Sequence, residues 1–191
     1  IDQTLIAQPC IFSVQVALAA LWRSLGVVPD VVAGHSVGEI AAGYVAGALR
    51  LEDAIRISYH RGRLQATTAG QGKMLAIGLP AEEVVERIAP YGSEVSLAAV
   101  NSPTSATVAG VAEQLERLAE SLEEESVFAR FLKVEVPYHS AAMDPILPEL
   151  ASELEVIRPG ESEIPIVSTV TGEFIGGREI GAAYWQRNVR D

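Results

Sequence analysis

The segment Gly34-His35-Ser36-Val37-Gly38-Glu39 restricts the fold more than any other. It follows a short apolar run, Val31-Val32-Ala33, and precedes an alanine-rich stretch over residues 40–48. G-x-S-x-G between a strand and a helix is the pattern of a nucleophile elbow. The chain reverses so tightly there that glycine is favoured on both flanks. The serine hydroxyl stands exposed at the helix N-terminus, where backbone N–H groups and the helix dipole can stabilise a developing oxyanion. A Gly/Ser turn without chemistry would not need strand, elbow and helix in this order. The pattern therefore predicts an α/β, hydrolase-like core with a parallel sheet.

The remaining chain fits one such domain with an insertion. At 191 residues and 49% apolar content there is enough for one core. A net charge of −11 argues against nucleic acid and anionic membrane as partners. The single cysteine, Cys10, excludes an internal disulfide and lies in an apolar helix, so it reads as core. Gln15, Arg23 and Glu39 interrupt the apolar stretches too soon for a membrane span. With no visible signal peptide, a cytoplasmic location is expected. The first readable element is a helix, so the first strand of the α/β core is expected to be missing and the chain to be a piece of a longer polypeptide.

Residues 9–25 read as a helix that is apolar nearly all round and therefore buried. Another helix runs over 51–69 and is broken by Gly70-Gln71-Gly72. The grammar then changes. Strands are predicted over 74–79, 95–100, 106–109 and 128–134, and helices over 81–89 and 111–123. This βαββαβ order is the ferredoxin-like unit. It assigns residues 73–135 to an inserted subdomain and residues 1–72 and 136–191 to the core. Beyond it, Tyr138-His139-Ser140 leads into a helix reaching about residue 156, a strand covers 164–170, and a short helix covers 179–189. Pro165 suggests that the strand is an edge or begins there.

A serine needs a base to take its proton. His35 adjoins Ser36, so its ring should diverge from the hydroxyl and belong to the elbow or its rim. His60 lies mid-helix and reads as a surface or partly buried side chain. His139 is the best candidate, because it follows a predicted strand at a junction with a helix, where active-site residues concentrate. The three histidines and Cys10 lack metal-ligand spacing, so no metal is expected. Arg61 lies on the helix after the elbow helix. Arg63 points to a nearly opposite face, so only one of the two can face a pocket. A guanidinium buried at an acyl-transfer site hints at a substrate with a free carboxylate; a solvated arginine is the plain alternative.

These residues carry a resemblance. The elbow, Arg61-Gly62-Arg63-Leu64, Gln71-Gly72-Lys73-Met74, Asn101-Ser102-Pro103, Tyr138-His139-Ser140, Ser168-Thr169-Val170-Thr171-Gly172 and Tyr184-Trp185-Gln186-Arg187-Asn188 together resemble the malonyl-type acyl-CoA:acyl carrier protein acyltransferases. The style is that of acyltransferase domains in modular or iterative polyketide synthases, and the match covers nearly the whole chain.

The resemblance implies a ping-pong transfer. Ser36 attacks the thioester carbonyl of malonyl-CoA with His139 as base, Val37 N–H serves the oxyanion, and Arg61 pairs with the malonyl carboxylate. The acyl group then passes to the phosphopantetheine thiol of an acyl carrier protein, and no bound cofactor is implied. Support for the histidine comes from the region of Asn188, through a backbone carbonyl. Gln8, Asn101, Ser102, His35 and Tyr138 line or rim the pocket. Neighbouring synthase domains in one polypeptide are the expected company.

Two departures stand out. The family's N-terminal Gly-Gln-Gly stretch is not in this sequence. Val136-Pro137-Tyr138-His139 matches neither the malonyl-selective nor the methylmalonyl-selective pattern. A ring at Tyr138 leaves less room for an α-methyl group, and Val37 also leans toward malonyl; one methyl is worth only about 1–3 kcal/mol. Two other readings stay open. An esterase or thioesterase of the α/β-hydrolase type would need an acid such as Asp53 or Glu94. A catalytically silent docking domain would have no use for Ser36, His139 and Arg61 together.

Overall fold

The computed structural model describes residues 3–191. Its elements run α1 (Thr4–Ser24), β1 (Val32–Gly34), α2 (Gly38–Val45), α3 (Leu51–Ala66), β2 (Lys73–Ile77), α4 (Ala81–Ile88), β3 (Val95–Ser102), β4 (Ser105–Gly110), α5 (Ala112–Glu124) and β5 (Ala129–Phe131). A 3₁₀ segment at Ala141–Ile146 leads to α6 (Leu147–Leu154), β6 (Ile166–Ser168), β7 (Phe174–Ile175) and α7 (Ala182–Arg190). The described residues fall into two units: 3–64 with 147–189, and 65–146 with 190–191.

The first unit is an α/β core. β1 and β6 pair in parallel, Val32 opposite Ile166 and Gly34 opposite Ser168, and β6 pairs antiparallel with β7. β6 is thus the middle strand, which corrects the edge alternative for Pro165. The proline sits just before the strand, where its missing N–H costs no ladder bond, and its carbonyl accepts from Val32 N at 3.0 Å. The two-residue β7 is too short to leave a periodic signal; in the sequence only Thr171-Gly172 and Gly176-Gly177, which read as turns, mark its place.

Helix α1 differs most from expectation. It starts before Pro9, which lies inside it, and its buried residues are Thr4, Gln8 and Phe12. Their spacing of four makes a single narrow stripe. Val14, Leu18, Leu21 and Trp22, expected in the core, are each about half exposed. Cys10 falls off the stripe and is exposed as well, not core. By length and composition alone, α1 is also apolar enough to cross a membrane, with a mean hydropathy of 1.7 over an 18-residue window. Gln15 and Arg23 are too few to disqualify it.

The second unit holds a four-stranded antiparallel sheet in the order β3-β4-β2-β5, the ferredoxin-like arrangement. Alternation sorts its side chains. Leu75, Ile77, Ala106 and Val108 pack in one core with Val84 and Ile88 of α4 and Leu115, Leu118 and Leu122 of α5. Met74, Ala98 and Ala109 form a separate cluster, against which Tyr138 packs.

Candidate active site

The elbow is built from backbone constraints. Three residues separate β1 from α2, and Ser36 takes φ 53°, a left-handed conformation rare outside glycine. The turn is closed by Gly38 N donating to His35 O (2.9 Å), Glu39 N to Ser36 O (3.1 Å) and Ile40 N to Val37 O (3.2 Å). A Cβ on Gly34 would lie 2.3 Å from the carbonyl carbon and oxygen of Gly38 and 2.4 Å from Glu39 N. Only a hydrogen fits there. A Cβ on Gly38 would meet nothing nearer than Gln15 Nε2 at 3.5 Å. Glycine is therefore required at one flank of the serine and not at the other.

Arg61 of α3 is 2% exposed. Its Nη2 donates to Ser36 Oγ at 2.7 Å, its Nη1 to Gln8 Oε1 at 2.7 Å, and its Nε to Asn188 Oδ1 at 3.2 Å. Gly62 helps to place Gln8, since a Cβ there would come 3.2 Å from Thr4 O of α1. These bonds engage all three guanidinium nitrogens, one of them on the serine. Arg63 faces elsewhere, donating to Glu149 (2.9 Å) and Glu153 (3.3 Å) of α6.

Asn188 and Glu39 form a second layer beneath the serine. Asn188 Nδ2 donates to Glu39 Oε2 (2.6 Å) and to the Ser36 carbonyl (3.2 Å). Glu39 is 4% exposed. It also accepts from Tyr184 OH (2.8 Å), Thr169 N (2.6 Å) and Thr169 Oγ1 (3.0 Å). Burial, above all, pushes the Tyr184 phenol upward, so it serves as a donor. Sequence reasoning assigned no role to Glu39, Thr169 or Tyr184. The one signal was an acidic residue in the first turn of a helix that is otherwise small and apolar. The side chain of Asn188 is thus engaged by Arg61, Glu39 and Ser36.

Val37 caps α2 with helical angles, φ −57° and ψ −27°. His35 is exposed and lines an open groove of about 520 Å³ beside Val32, Ala33 and Gln15. His60 lies 3.6 Å from Glu153, and burial, more than any neighbouring charge, lowers its proton affinity. Asp53 is engaged by Arg50 at 3.0 and 3.2 Å, so the acid a hydrolase triad would borrow is already paired.

The other predicted residues belong to the second unit. His139 is 7% exposed and also left-handed, with φ 56°. Its turn is held by Ser140 Oγ donating to Pro137 O (2.6 Å) and Met143 N to Ser140 O (2.9 Å). The preceding strand was expected to reach residue 134. β5 ends at Phe131, so His139 follows irregular chain rather than a strand. Asn101 is tied to the β3–β4 hairpin, Nδ2 donating to Thr107 Oγ1 at 2.9 Å. Ser102 Oγ accepts from Thr104 N at 3.3 Å within the hairpin turn. In Glu94, the other acid considered for a triad, Oε2 accepts from Gln114 at 2.8 Å. Among the described residues no three His, Cys, Asp or Glu side chains are grouped to hold a metal ion.

Residues 1–191 match the family model for the acyl transferase domain. The chain is 45% identical over 97% of its length to polyketide synthase GfsE of Streptomyces halstedii. It is 42% identical over 100% of its length to erythronolide synthase EryA3 of Saccharopolyspora erythraea. It spans only 5% and 6% of those proteins. Among solved structures, the acyltransferase domain from module 8 of the salinomycin polyketide synthase superposes with a TM-score of 0.97 at 42% identity, covering 100% of this chain and 45% of that one. MCAT from Streptococcus pneumoniae gives 0.89 at 30% identity, covering 100% and 64%. Elbow, α/β core, ferredoxin-like unit and these likenesses agree: the chain belongs to the acyltransferase domain family, in the form found within polyketide synthases.

Proposed function

We propose that the protein loads a malonyl-type unit from coenzyme A onto the phosphopantetheine thiol of an acyl carrier protein, by way of an acyl-Ser36 intermediate. The observation that carries this is the Arg61 guanidinium, buried and 2.7 Å from the Ser36 hydroxyl. A fixed cation beside the nucleophile suits an acyl group that ends in a carboxylate, because two parallel N–H···O bonds can form there.

In this reading His139 takes the proton from Ser36 Oγ as the new C–O bond forms. The tetrahedral oxyanion is met by Val37 N–H at the start of α2. The C–S bond then breaks, and the proton returns to the departing coenzyme A thiolate. In the second half the carrier thiol gives its proton to His139, attacks the acyl-serine, and frees Ser36. Arg61 leaves the hydroxyl and turns to the substrate carboxylate, while Gln8 and Asn188 keep its plane. No bound cofactor takes part. Malonyl is favoured over methylmalonyl because the Tyr138 ring, seated on Met74, Ala98 and Ala109, is bulky and held in place. Neighbouring synthase domains and a cytoplasmic setting are the company proposed for it.

The test uses the full-length protein that carries this chain. It is mixed with equal malonyl-, methylmalonyl- and acetyl-CoA, and the intact mass and the Ser36 peptide are read. Malonyl on Ser36, lost in Ser36→Ala, supports the reading. Methylmalonyl in its place would overturn the Tyr138 argument. Free acid without an adduct would favour a hydrolase, and neither adduct nor turnover a docking domain.

A further inference from the structure

We propose that Glu39 is a positioning residue for the acyl carboxylate, acting through Asn188 on Arg61. The inference rests on the reading of Ser36 and Arg61 above and adds to it the group that sets the cation in place.

The argument is one of donors and acceptors. A carboxylate only accepts hydrogen bonds and a guanidinium only donates them, whereas a primary amide does one at each end. Asn188 lies between the two. Its Nδ2 faces Glu39 Oε2 at 2.6 Å, and its Oδ1 faces Arg61 Nε at 3.2 Å. Turning the amide over would set oxygen against carboxylate and N–H against guanidinium, losing both bonds. Glu39 thus permits one amide orientation, and that orientation presents the acceptor to Arg61. The second proton of Nδ2 reaches the Ser36 carbonyl at 3.2 Å, so the same amide touches the nucleophile's own peptide.

Glu39 is itself immobile. Its Oε1 accepts from Thr169 N at 2.6 Å and its Oε2 from Tyr184 OH at 2.8 Å, and the side chain is 4% exposed. The anchor therefore joins β6's end and α7 to the first turn of α2. Glutamine at this place keeps the shape but has one acceptor instead of two. With its oxygen kept toward Thr169 N, its N–H₂ must face Asn188, donor against donor. The amide of Asn188 is then driven over, and its N–H₂ meets the Arg61 guanidinium. Arg61 loses the partner that holds Nε and leaves its plane.

The experiment is Glu39→Gln in the full-length protein, read as kcat/KM for Ser36 loading from malonyl-CoA and from acetyl-CoA. Acetyl carries no carboxylate for Arg61 to meet. The expected result is a fall in the malonyl:acetyl ratio of about tenfold or more, seen chiefly as a higher malonyl KM. In an Arg61→Ala background the substitution should change the ratio no further, because the two residues act on one contact. Equal loss for both substrates would overturn the proposal and leave Glu39 a structural anchor. If Glu39→Gln does not fold, Asn188→Ala removes the link and leaves the carboxylate with Thr169 and Tyr184. An unchanged ratio in that variant overturns the proposal too. Should Arg61→Ala itself leave the ratio untouched, the carboxylate reading of the site fails. Should Arg61→Ala collapse the ratio while Glu39→Gln does not, only the present inference fails.

Discussion

Replacing Gly34 by alanine tests the elbow most directly. The added Cβ would sit 2.3 Å from Gly38 C and O and 2.4 Å from Glu39 N, where ordinary contact begins at 3.4 Å. All three atoms are backbone, so no flexible side chain can give way. The first turn of α2 must retreat by about 1 Å to restore normal contact. Glu39 lies in that turn and holds bonds of 2.6 Å to Asn188, 2.6 Å to Thr169 N and 2.8 Å to Tyr184. A retreat of about 1 Å carries such bonds beyond useful hydrogen-bond range. Each bond to a charged group is worth about 1.5–3 kcal/mol, so losing two costs about 3–6 kcal/mol. That is a large share of a typical folding stability of about 5–15 kcal/mol. Gly38→Ala is the internal control. Its Cβ would meet only Gln15 Nε2 at 3.5 Å, and alanine suits a helix, so stability should stay within about 1 kcal/mol of the wild type. Urea unfolding followed by far-ultraviolet circular dichroism gives both values. Near-equal effects of the two substitutions, or a loss under about 1 kcal/mol for Gly34→Ala, would refute the steric argument.

His139→Ala should lower acyl loading by about 100-fold or more, measured by quenched-flow mass analysis; a tenfold or smaller loss would assign the proton to another base. Arg61→Ala should reduce malonyl loading by about 100-fold, for two charge-assisted bonds, while acetyl loading holds or improves; equal losses would make the arginine structural. Burial, which outweighs the opposing Glu153 charge, holds His60 below its ordinary value of 6.5, so the unfolded chain binds its proton more readily than the fold does. The stability this gives is present above pH 6.5 and is lost as pH falls through the lower folded value. A melting curve taken from pH 7 to pH 5 should therefore drop, and should drop less in His60→Gln.

Much of this architecture is written in local pattern. The βαββαβ unit is legible because its strands alternate and the Leu115, Leu118 and Leu122 face of α5 has helical period. The elbow is legible because a left-handed serine after a strand leaves a short, rigid motif. Helix α1 is not legible in the same way. Apolar residues all round it say that it is hydrophobic, but not which side the fold covers, and only Thr4, Gln8 and Phe12 are buried. Glu39 is hidden for a different reason. Its four donors come from Thr169, Tyr184 and Asn188, more than 100 residues away, and no periodicity connects them. Arg61 and Ser36 are likewise joined by topology: helix geometry says only that Arg61 and Arg63 cannot both face a pocket, and the resemblance to the acyltransferases picks Arg61.

The left-handed backbone of Ser36 separates what this position costs the fold from what it gives to chemistry. An alanine there removes the hydroxyl yet keeps a Cβ at φ 53°, so the strain persists. Glycine removes the hydroxyl and the strain together. Both variants should be inert, and both lose the same bond to Arg61. Ser36→Gly should nevertheless be more stable than Ser36→Ala by about 1 kcal/mol, the ordinary penalty of a side chain in that conformation. The difference between two dead proteins then reads out the conformational tension that the living one stores at its nucleophile.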